Sequence, residues 1–148
     1  AAQLHARSCL LGLPGGGLTL GAGGWGRIAT CGGPAGNKNQ TGLAMDVGVA
    51  GRRGVIRDQV LMTGDADYQY AVAALGGATY SGLVITHHGA KFSGHVPAAH
   101  GGSRAVVSYG ENNTYRHPDP GMVSAHAGWT IERTAAHGFH RRGSRTLP

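Results

Sequence analysis

The sequence has little of what defines several common classes of protein. It contains two cysteines, Cys9 and Cys31, and no CxxC pair, which excludes a disulfide framework and a CxxC metal or redox site. The two thiols are expected to be either free or joined in one bridge. No apolar run approaches about eighteen residues, and the N-terminus lacks the apolar stretch and basic region of a signal peptide. We therefore expect a cytoplasmic protein with no membrane association.

Acidic residues are also scarce. Seven Asp and Glu stand against thirteen Lys and Arg, so the 148 residues carry a net charge of +6. An excess of positive charge favours an anionic partner, such as a phosphate ester or a nucleic acid. An alternative source of the excess is the base composition of the gene, and part of it lies in the C-terminal stretch "HRRGSRTLP". Charge alone permits an anionic ligand without identifying it.

Glycine, in contrast, is abundant, with 28 residues. Eleven of the twenty-five positions from Gly12 to Gly36 are glycine, which predicts irregular backbone with at most one short strand. A phosphate-binding P-loop is not indicated there, because the stretch has no GK[ST]. We therefore divide the chain into a Gly-rich irregular segment, 1–36, and a folded domain, 37–148.

Within 37–148 the hydrophobic pattern predicts a series of regular elements. Alternating apolar residues predict a half-buried strand at Leu43, Met45, Val47 and Val49. After a turn at "AGRRG", the stretch "VIRDQVLMTG" is typical of the returning strand of a hairpin. A helix of about ten residues is predicted for "DADYQYAVAALGG", which has acidic residues at its start and glycines at its end.

The remaining elements alternate in the same way. Two apolar, β-branched stretches, "GLVIT" and "AVVSY", predict strands, and "WTIERT" predicts a last strand. A second helix is expected to begin at Asp119, as N-cap, with Pro120 in its first position, and to end at Gly128. This order predicts an α/β class in which helices cover a sheet.

Polar residues follow three of the predicted strands. Asp65 comes where one strand ends, His87 and His88 follow the next, and "SYGENNTYRHP" follows the third. Ligands of open α/β sheets bind at the carboxyl ends of the strands, and a carboxylate with neutral imidazoles is a suitable ligand set for zinc. The alternative for Asp65 is a helix N-cap, and Asp67 is interpreted as a favourable charge in the first helical turn.

Three of these stretches, in this order, resemble a known family. "LMTGDAD", "LVITHHGAK" and "VVSYGENNTYRHPDP" are similar to the C-terminal half of a metallo-β-lactamase-fold hydrolase. The similarity is greatest to the subgroup of the competence-type DNA-uptake protein and related stand-alone phosphodiesterases, and it extends from about Asn39 to Thr134. The resemblance implies half of an αββα sandwich, with a mixed sheet and helices on one face.

The resemblance also implies zinc or another divalent transition metal. The implied metal ligands are Asp65 and His87, with His88 or His117 as a third ligand. His117 and Tyr115 are expected to donate to a developing oxyanion or leaving group, and Asn113 to hold the loop or the substrate. Because successive strand residues alternate in direction, we expect His87 to be the stronger ligand and His88 to contact the substrate or support a ligand.

The function implied is metal-dependent hydrolysis of a phosphate ester, of phosphodiesterase or phosphotriesterase type, by a metal-activated hydroxide. The expected substrate is small and anionic. One alternative is an ester or lactone hydrolase of the same fold. The other is a catalytically silent module that binds nucleic acid or a protein partner.

One motif of complete members is absent. The sequence has no HxHxDH, and His5 is the only histidine before Asp65. Three accounts remain open: another chain supplies the missing half, two copies share ligands, or the chain binds metal poorly. Because a half sheet leaves an apolar face and a strand edge to be covered, we expect a homodimer.

Overall fold

The computed structural model describes residues 17–20, 24–50, 56–76, 79–110 and 113–135. These residues form one seven-stranded sheet and two α-helices. In chain order the elements are β1 (Gly17–Leu20), β2 (Gly24–Thr30), β3 (Leu43–Ala50), β4 (Ile56–Met62), α1 (Tyr68–Leu75), β5 (Thr79–Val84), a 3₁₀ turn (Thr86–Gly89), β6 (Ala98–Val107), α2 (Met122–Ala125) and β7 (Thr130–Arg133). None of the helices in these residues is long and apolar enough to span a membrane.

The strands lie side by side in chain order, from β1 to β7. Strands β1 to β4 pair antiparallel, whereas β4 to β7 pair parallel. Parallel neighbours require a crossover, and α1 provides it between β4 and β5. The structure therefore confirms the predicted α/β class with a mixed sheet, and β3 to β7 follow the predicted order of elements.

The second helix is shorter than predicted. It has a single turn, Met122–Ala125, instead of extending from Asp119 to Gly128. The Asp119 side chain accepts a hydrogen bond from the backbone N–H of Gly121 at 2.8 Å, so "DPG" forms a turn that precedes the helix. The proline and glycine thus delay the start of the helix.

The prediction for the Gly-rich segment was wrong in one respect. At most one short strand was expected in 1–36, but β1 and β2 both lie there. β2 pairs with β3 from Gly24↔Val49 to Thr30↔Leu43, so the division at residue 36 falls in the loop between two paired strands. Glycine serves close packing in this sheet: a Cβ at Gly48 would lie 2.5 Å from the Trp25 ring.

The hydrophobic core lies on one face of the sheet. Leu61, Leu83 and Ala105 are fully buried and adjacent in register on β4, β5 and β6. Buried residues of α1 pack against them, and Met122 of α2 belongs to the same core. Both described helices therefore cover the same face.

The opposite face carries a row of apolar residues across the sheet. Adjacent in register on five strands are Ile28, Met45, Met62, Val84 and Val106. The first four are half-buried and Val106 is buried. Because side chains alternate along a strand, this row points away from α1 and α2.

A buried ion pair fixes the register of the antiparallel strands. Asp46 is fully buried, and its carboxylate accepts hydrogen bonds from both Arg27 Nε, at 3.0 Å, and the Arg27 terminal guanidinium nitrogen. Gln59 Nε2 donates a third bond at 2.8 Å. The hydrogen bond with Asp46 raises the pKa of Arg27. A slip of one residue would leave a buried carboxylate unpaired, which is strongly unfavourable.

Of the two cysteines, Cys31 lies within the described residues. Cys31 is a buried free thiol whose pKa is raised by burial. Cys9 lies outside the described residues.

The buried hydroxyl of Tyr80 is expected to lower the stability of the fold. Its hydroxyl is buried and has no hydrogen-bond partner within the described parts of the chain, and burial raises the pKa of Tyr80 to about 12. An unpaired buried polar group costs about 1–3 kcal/mol. We expect Tyr80→Phe to raise the free energy of unfolding by about 1 kcal/mol, measured by urea denaturation.

The matched control is Tyr68→Phe. Tyr68 is equally buried, but its hydroxyl lies 2.7 Å from His126 Nε2, so this change removes a hydrogen bond and should lower stability. Equal destabilisation by the two substitutions would show that the Tyr80 hydroxyl has a partner.

Candidate functional site

The carboxyl ends of the parallel strands β4, β5 and β6 meet at one edge of the sheet, and all the predicted site residues lie there. Asp65 follows β4, His87 and His88 follow β5, and the loop with Asn113, Tyr115 and His117 follows β6. The structure brings these residues together in two groups. One is the pair Asp65–His88, and the other contains His87, His117 and Tyr115.

His88 is oriented by the backbone. Its Nδ1 lies 2.7 Å from the carbonyl oxygen of Ser108. A carbonyl only accepts, so Nδ1 carries the hydrogen, and Nε2 of the neutral ring presents a lone pair. That Nε2 lies 3.9 Å from Asp65 Oδ1, beyond hydrogen-bonding distance. In the neutral form of His88, two acceptors therefore face each other, an arrangement that can accept a cation between them.

The second group is a cluster of three rings, called the ring stack below, in which Tyr115 stacks on His117 and His87 is tilted by 59° to His117. The His87 and His117 centroids lie 5.7 Å apart, and Tyr115 lies nearly parallel to His117, at 5.8 Å and 11°. Tyr115 is 80% exposed, so the outer side of the stack faces solvent. The predicted donors to an oxyanion, Tyr115 and His117, are thus in contact with each other and accessible.

Asn113 holds the loop that carries this stack. Its Nδ2 donates to the carbonyl oxygens of Gly110 and His117, and its Oδ1 accepts from the His117 backbone N–H, each at 2.8 Å. Of the two roles expected for Asn113, these contacts correspond to holding the loop. The side chain spans the loop and fixes the backbone at His117.

Backbone strain is concentrated at the same edge. The described residues other than glycine that have positive φ are His87 (47°), His88 (55°) and Arg116 (58°). All three belong to the loops of the site. The left-handed conformation costs about 1–2 kcal/mol per residue, and such strain persists only where surrounding contacts enforce it. Here the His87 N–H donates to Gly64 O at 3.0 Å.

The alternation argument for the two histidines does not apply. β5 ends at Val84, and both histidines are left-handed within the 3₁₀ turn instead of continuing the strand. Their directions are set by the turn. As a result Asp65 faces His88, whereas His87 faces His117.

Neither acidic residue at the start of α1 caps the helix with its side chain. Asp67 occupies the N-cap position without a side-chain capping bond, and Asp65 lies outside the helix. The buried Asp67 carboxylate instead accepts hydrogen bonds from the backbone N–H of Ser93, at 3.0 Å, and from its hydroxyl at 2.5 Å. The interpretation of Asp67 as a first-turn charge was therefore wrong: it ties α1 to the loop that follows the histidines.

Gly89 is a structural residue of the site that the sequence reasoning did not single out. A Cβ at Gly89 would lie 2.7 Å from Pro118 Cβ and 3.0 Å from Val107 Cγ2, and its φ is +80°. Its carbonyl oxygen also accepts from the Asp119 N–H at 2.8 Å. The loop after β5 and the loop after β6 therefore dock through this glycine. Its position directly after the histidine pair was the available signal.

The donor set suits zinc in kind, because it combines a carboxylate with imidazoles. Within the described ranges, however, no three His, Cys, Asp or Glu side chains lie close enough together to hold an ion. A complete set would require the two groups to close on one ion, or a donor from another chain.

Comparison with protein-family models, with curated proteins and with solved structures finds no match for this chain. The similarity to the metallo-β-lactamase fold therefore depends on the three motifs alone. The chemistry of the site has to be inferred from its own residues.

The close packing at Gly89 is expected to make a side chain there destabilising. Gly89→Ala combines a left-handed residue with a clash against Pro118, so we expect it to lower the free energy of unfolding by about 2–4 kcal/mol. Gly76→Ala is the matched control, because Gly76 has φ +69° but open space around its Cβ position. It should cost only about 1–2 kcal/mol. Urea denaturation measures both, and equal losses would show that the contact with Pro118 is unimportant.

Proposed function

We propose that this chain is a metal-dependent hydrolase of phosphate esters, with its active site at the carboxyl edge of β4, β5 and β6. The observation that carries the proposal is the pair formed by His88 and Asp65. Metal-binding histidines usually donate their other ring N–H to a carbonyl or carboxylate, and His88 donates to Ser108 O. Its free Nε2 then faces a carboxylate oxygen.

Asp65 and His88 would hold the ion, together with His87 or His117. A zinc ion held there would supply the positive charge needed to polarise a phosphoryl oxygen and to acidify a water molecule. The side chains of Asp65 and His88 are about half exposed, at 47% and 57%, so substrate has access to them.

The ring stack supports the reacting groups. A ring N–H of His117 and the hydroxyl of Tyr115 are donors beside the proposed ion site, suited to a phosphoryl oxygen or a leaving oxygen. The nearby Arg116 and Lys91 are exposed cations on the two site loops. They favour approach of an anion, in agreement with the net charge of +6.

The sheet itself is consistent with half of a metallo-β-lactamase αββα sandwich. Such a sandwich buries the sheet face opposite the helices, and here that face carries the apolar row from Ile28 to Val106. We propose that a second copy of the chain covers this row and supplies the ligands that the described donors do not complete.

Asp65→Asn tests the metal site. It removes the carboxylate charge, so we expect loss of most Zn²⁺ binding in calorimetry and a fall of about a hundredfold in hydrolysis of bis(p-nitrophenyl) phosphate. Asp119→Asn is the control, because the described contact of the Asp119 carboxylate is to accept from Gly121 N–H, and an amide oxygen can do the same. Full zinc binding by Asp65→Asn would contradict the proposal.

Two further outcomes separate the alternatives. Zinc-dependent hydrolysis of carboxylic esters or lactones, without hydrolysis of the phosphodiester, would indicate an esterase. Nucleic-acid or protein binding with no zinc binding would indicate a silent module.

The proposed dimer can be tested separately from the metal site. Met62→Lys places a charge in the middle of the apolar row, so we expect sedimentation to change from dimer to a 15.1 kDa monomer, with a fall in activity per chain. Val123→Lys, on an exposed position of α2, should leave the dimer intact. A fully active wild-type monomer at every concentration would exclude shared ligands.

A further inference from the structure

A buried hydrogen-bonded chain lies directly behind the proposed site. Tyr68 Oη is 2.7 Å from His126 Nε2 and 3.3 Å from the backbone nitrogen of Thr86. His126 Nδ1 is 2.8 Å from the carbonyl oxygen of Met122. Tyr68, Thr86 and His126 are all almost fully buried. The chain therefore connects α2, α1 and the 3₁₀ turn through the protein interior.

The direction of each hydrogen bond follows from the partners. The Met122 carbonyl can only accept, so His126 Nδ1 carries a hydrogen and Nε2 of the neutral ring accepts. Tyr68 must then donate its hydroxyl hydrogen to Nε2, and its oxygen accepts from the Thr86 N–H. Every donor is satisfied, but only while His126 is neutral.

Protonation of His126 would remove the acceptor of the Tyr68 hydroxyl. It would also place a charge between the Phe92 and Tyr68 rings, each centred 5.6 Å from the imidazole. Tyr68 is the one titratable side chain among the contacts described for His126, and no described contact supplies a carboxylate. Burial lowers the pKa of His126, although the bond to Met122 opposes the shift, and burial raises the pKa of Tyr68.

Thr86 connects these buried hydrogen bonds to the proposed site. Its hydroxyl donates to the carbonyl oxygen of Ala66 at 2.7 Å, and Ala66 directly follows Asp65. Thr86 also directly precedes His87, whose N–H donates to Gly64 O. A displacement of Thr86 therefore moves the backbone on both sides of the Asp65–His88 pair.

We propose that Tyr68 and His126 are positioning residues for the proposed metal site, and that a proton on His126 releases Thr86 and loosens the site. This inference rests on the proposed function for its consequence, because a looser site binds Zn²⁺ less well. The coupling between His126 and Thr86 can be observed without any activity.

The pH range follows from the direction of the His126 shift. Because its folded-state pKa is lowered, the unfolded chain takes up the proton first as pH falls through about 6.5. The stability contributed by this chain of hydrogen bonds is therefore fully present above about pH 6.5 and is lost as pH falls below it.

The experiment follows the Thr86 amide by ¹H–¹⁵N NMR in the full chain during titration of the His126 ring. In the wild type we expect the amide to shift together with His126. In His126→Gln, which keeps an acceptor for Tyr68 but does not titrate, the transition should be absent. In Tyr68→Phe, His126 should titrate while the Thr86 amide does not follow.

Amide hydrogen exchange at pH 7.5 provides a second measurement that does not require acid. Tyr68→Phe should accelerate exchange at Thr86 about tenfold, whereas the control Tyr70→Phe, on a half-buried tyrosine of the same helix, should not. Supporting partners of metal ligands are typically worth about 10–100-fold in affinity, so Tyr68→Phe should weaken Zn²⁺ binding by about tenfold, and His126→Gln should weaken it little.

A Thr86 amide that does not respond to the His126 titration in the wild type would overturn the inference, as would an equal response in Tyr68→Phe. Absence of zinc binding in the wild type would instead refute the proposed function. The amide measurements would then still decide whether His126 controls the position of Thr86.

Discussion

The close approach of Gly89 to Pro118 is the constraint on which the geometry of the site depends. No side chain fits between the two loops at that point, since a Cβ would lie 2.7 Å from the proline. The bond from Asp119 N–H to Gly89 O then joins the loop after β5 to the loop after β6. This junction places His87 near His117. The left-handed conformations of His87 and His88 are tolerated because the chain is fixed on both sides of them.

Hydrogen bonds beneath the two loops support this junction. The Asp67 carboxylate bonds Ser93, Tyr68 bonds His126 and Thr86, and Thr86 bonds Ala66. These bonds connect α1 and α2 to the site loops, and all of their partners except the exposed Ser93 are buried, where an unpaired polar group is costly. The histidines and Asp65 project from this fixed base toward solvent. The arrangement combines rigid backbone with accessible donor atoms, which is the requirement for a preorganised site.

Hydrophobic periodicity allowed β3 to β7 to be predicted, because a two-residue alternation and short β-branched runs depend on burial alone. Asp65, His87, His88 and His117 lie at the same end of the sheet because their strands are parallel, but they form two separate pairs there. The pair β1 and β2 was not predicted, since at most one short strand was expected there, because the glycines interrupt the apolar pattern and a local pattern does not show what lies opposite. Trp25 of β2, for example, packs over Gly48 of the neighbouring strand β3. The directions of His87 and His88 were missed because they depend on positive φ values that the docked loops impose.

The scarcity of acidic residues makes their individual roles informative. The Asp46 carboxylate accepts hydrogen bonds from Arg27 and Gln59 within the sheet. The Asp67 carboxylate accepts from Ser93, and the Asp119 carboxylate accepts from the backbone N–H of Gly121. Each of these carboxylates accepts at least one hydrogen bond from within the fold. Asp65 differs, because its described contact is with His88 Nε2 at 3.9 Å, beyond hydrogen-bonding distance. A half-exposed carboxylate without a hydrogen-bond donor among its described contacts is available to an external ligand, and this availability is why the proposed cation is placed beside Asp65.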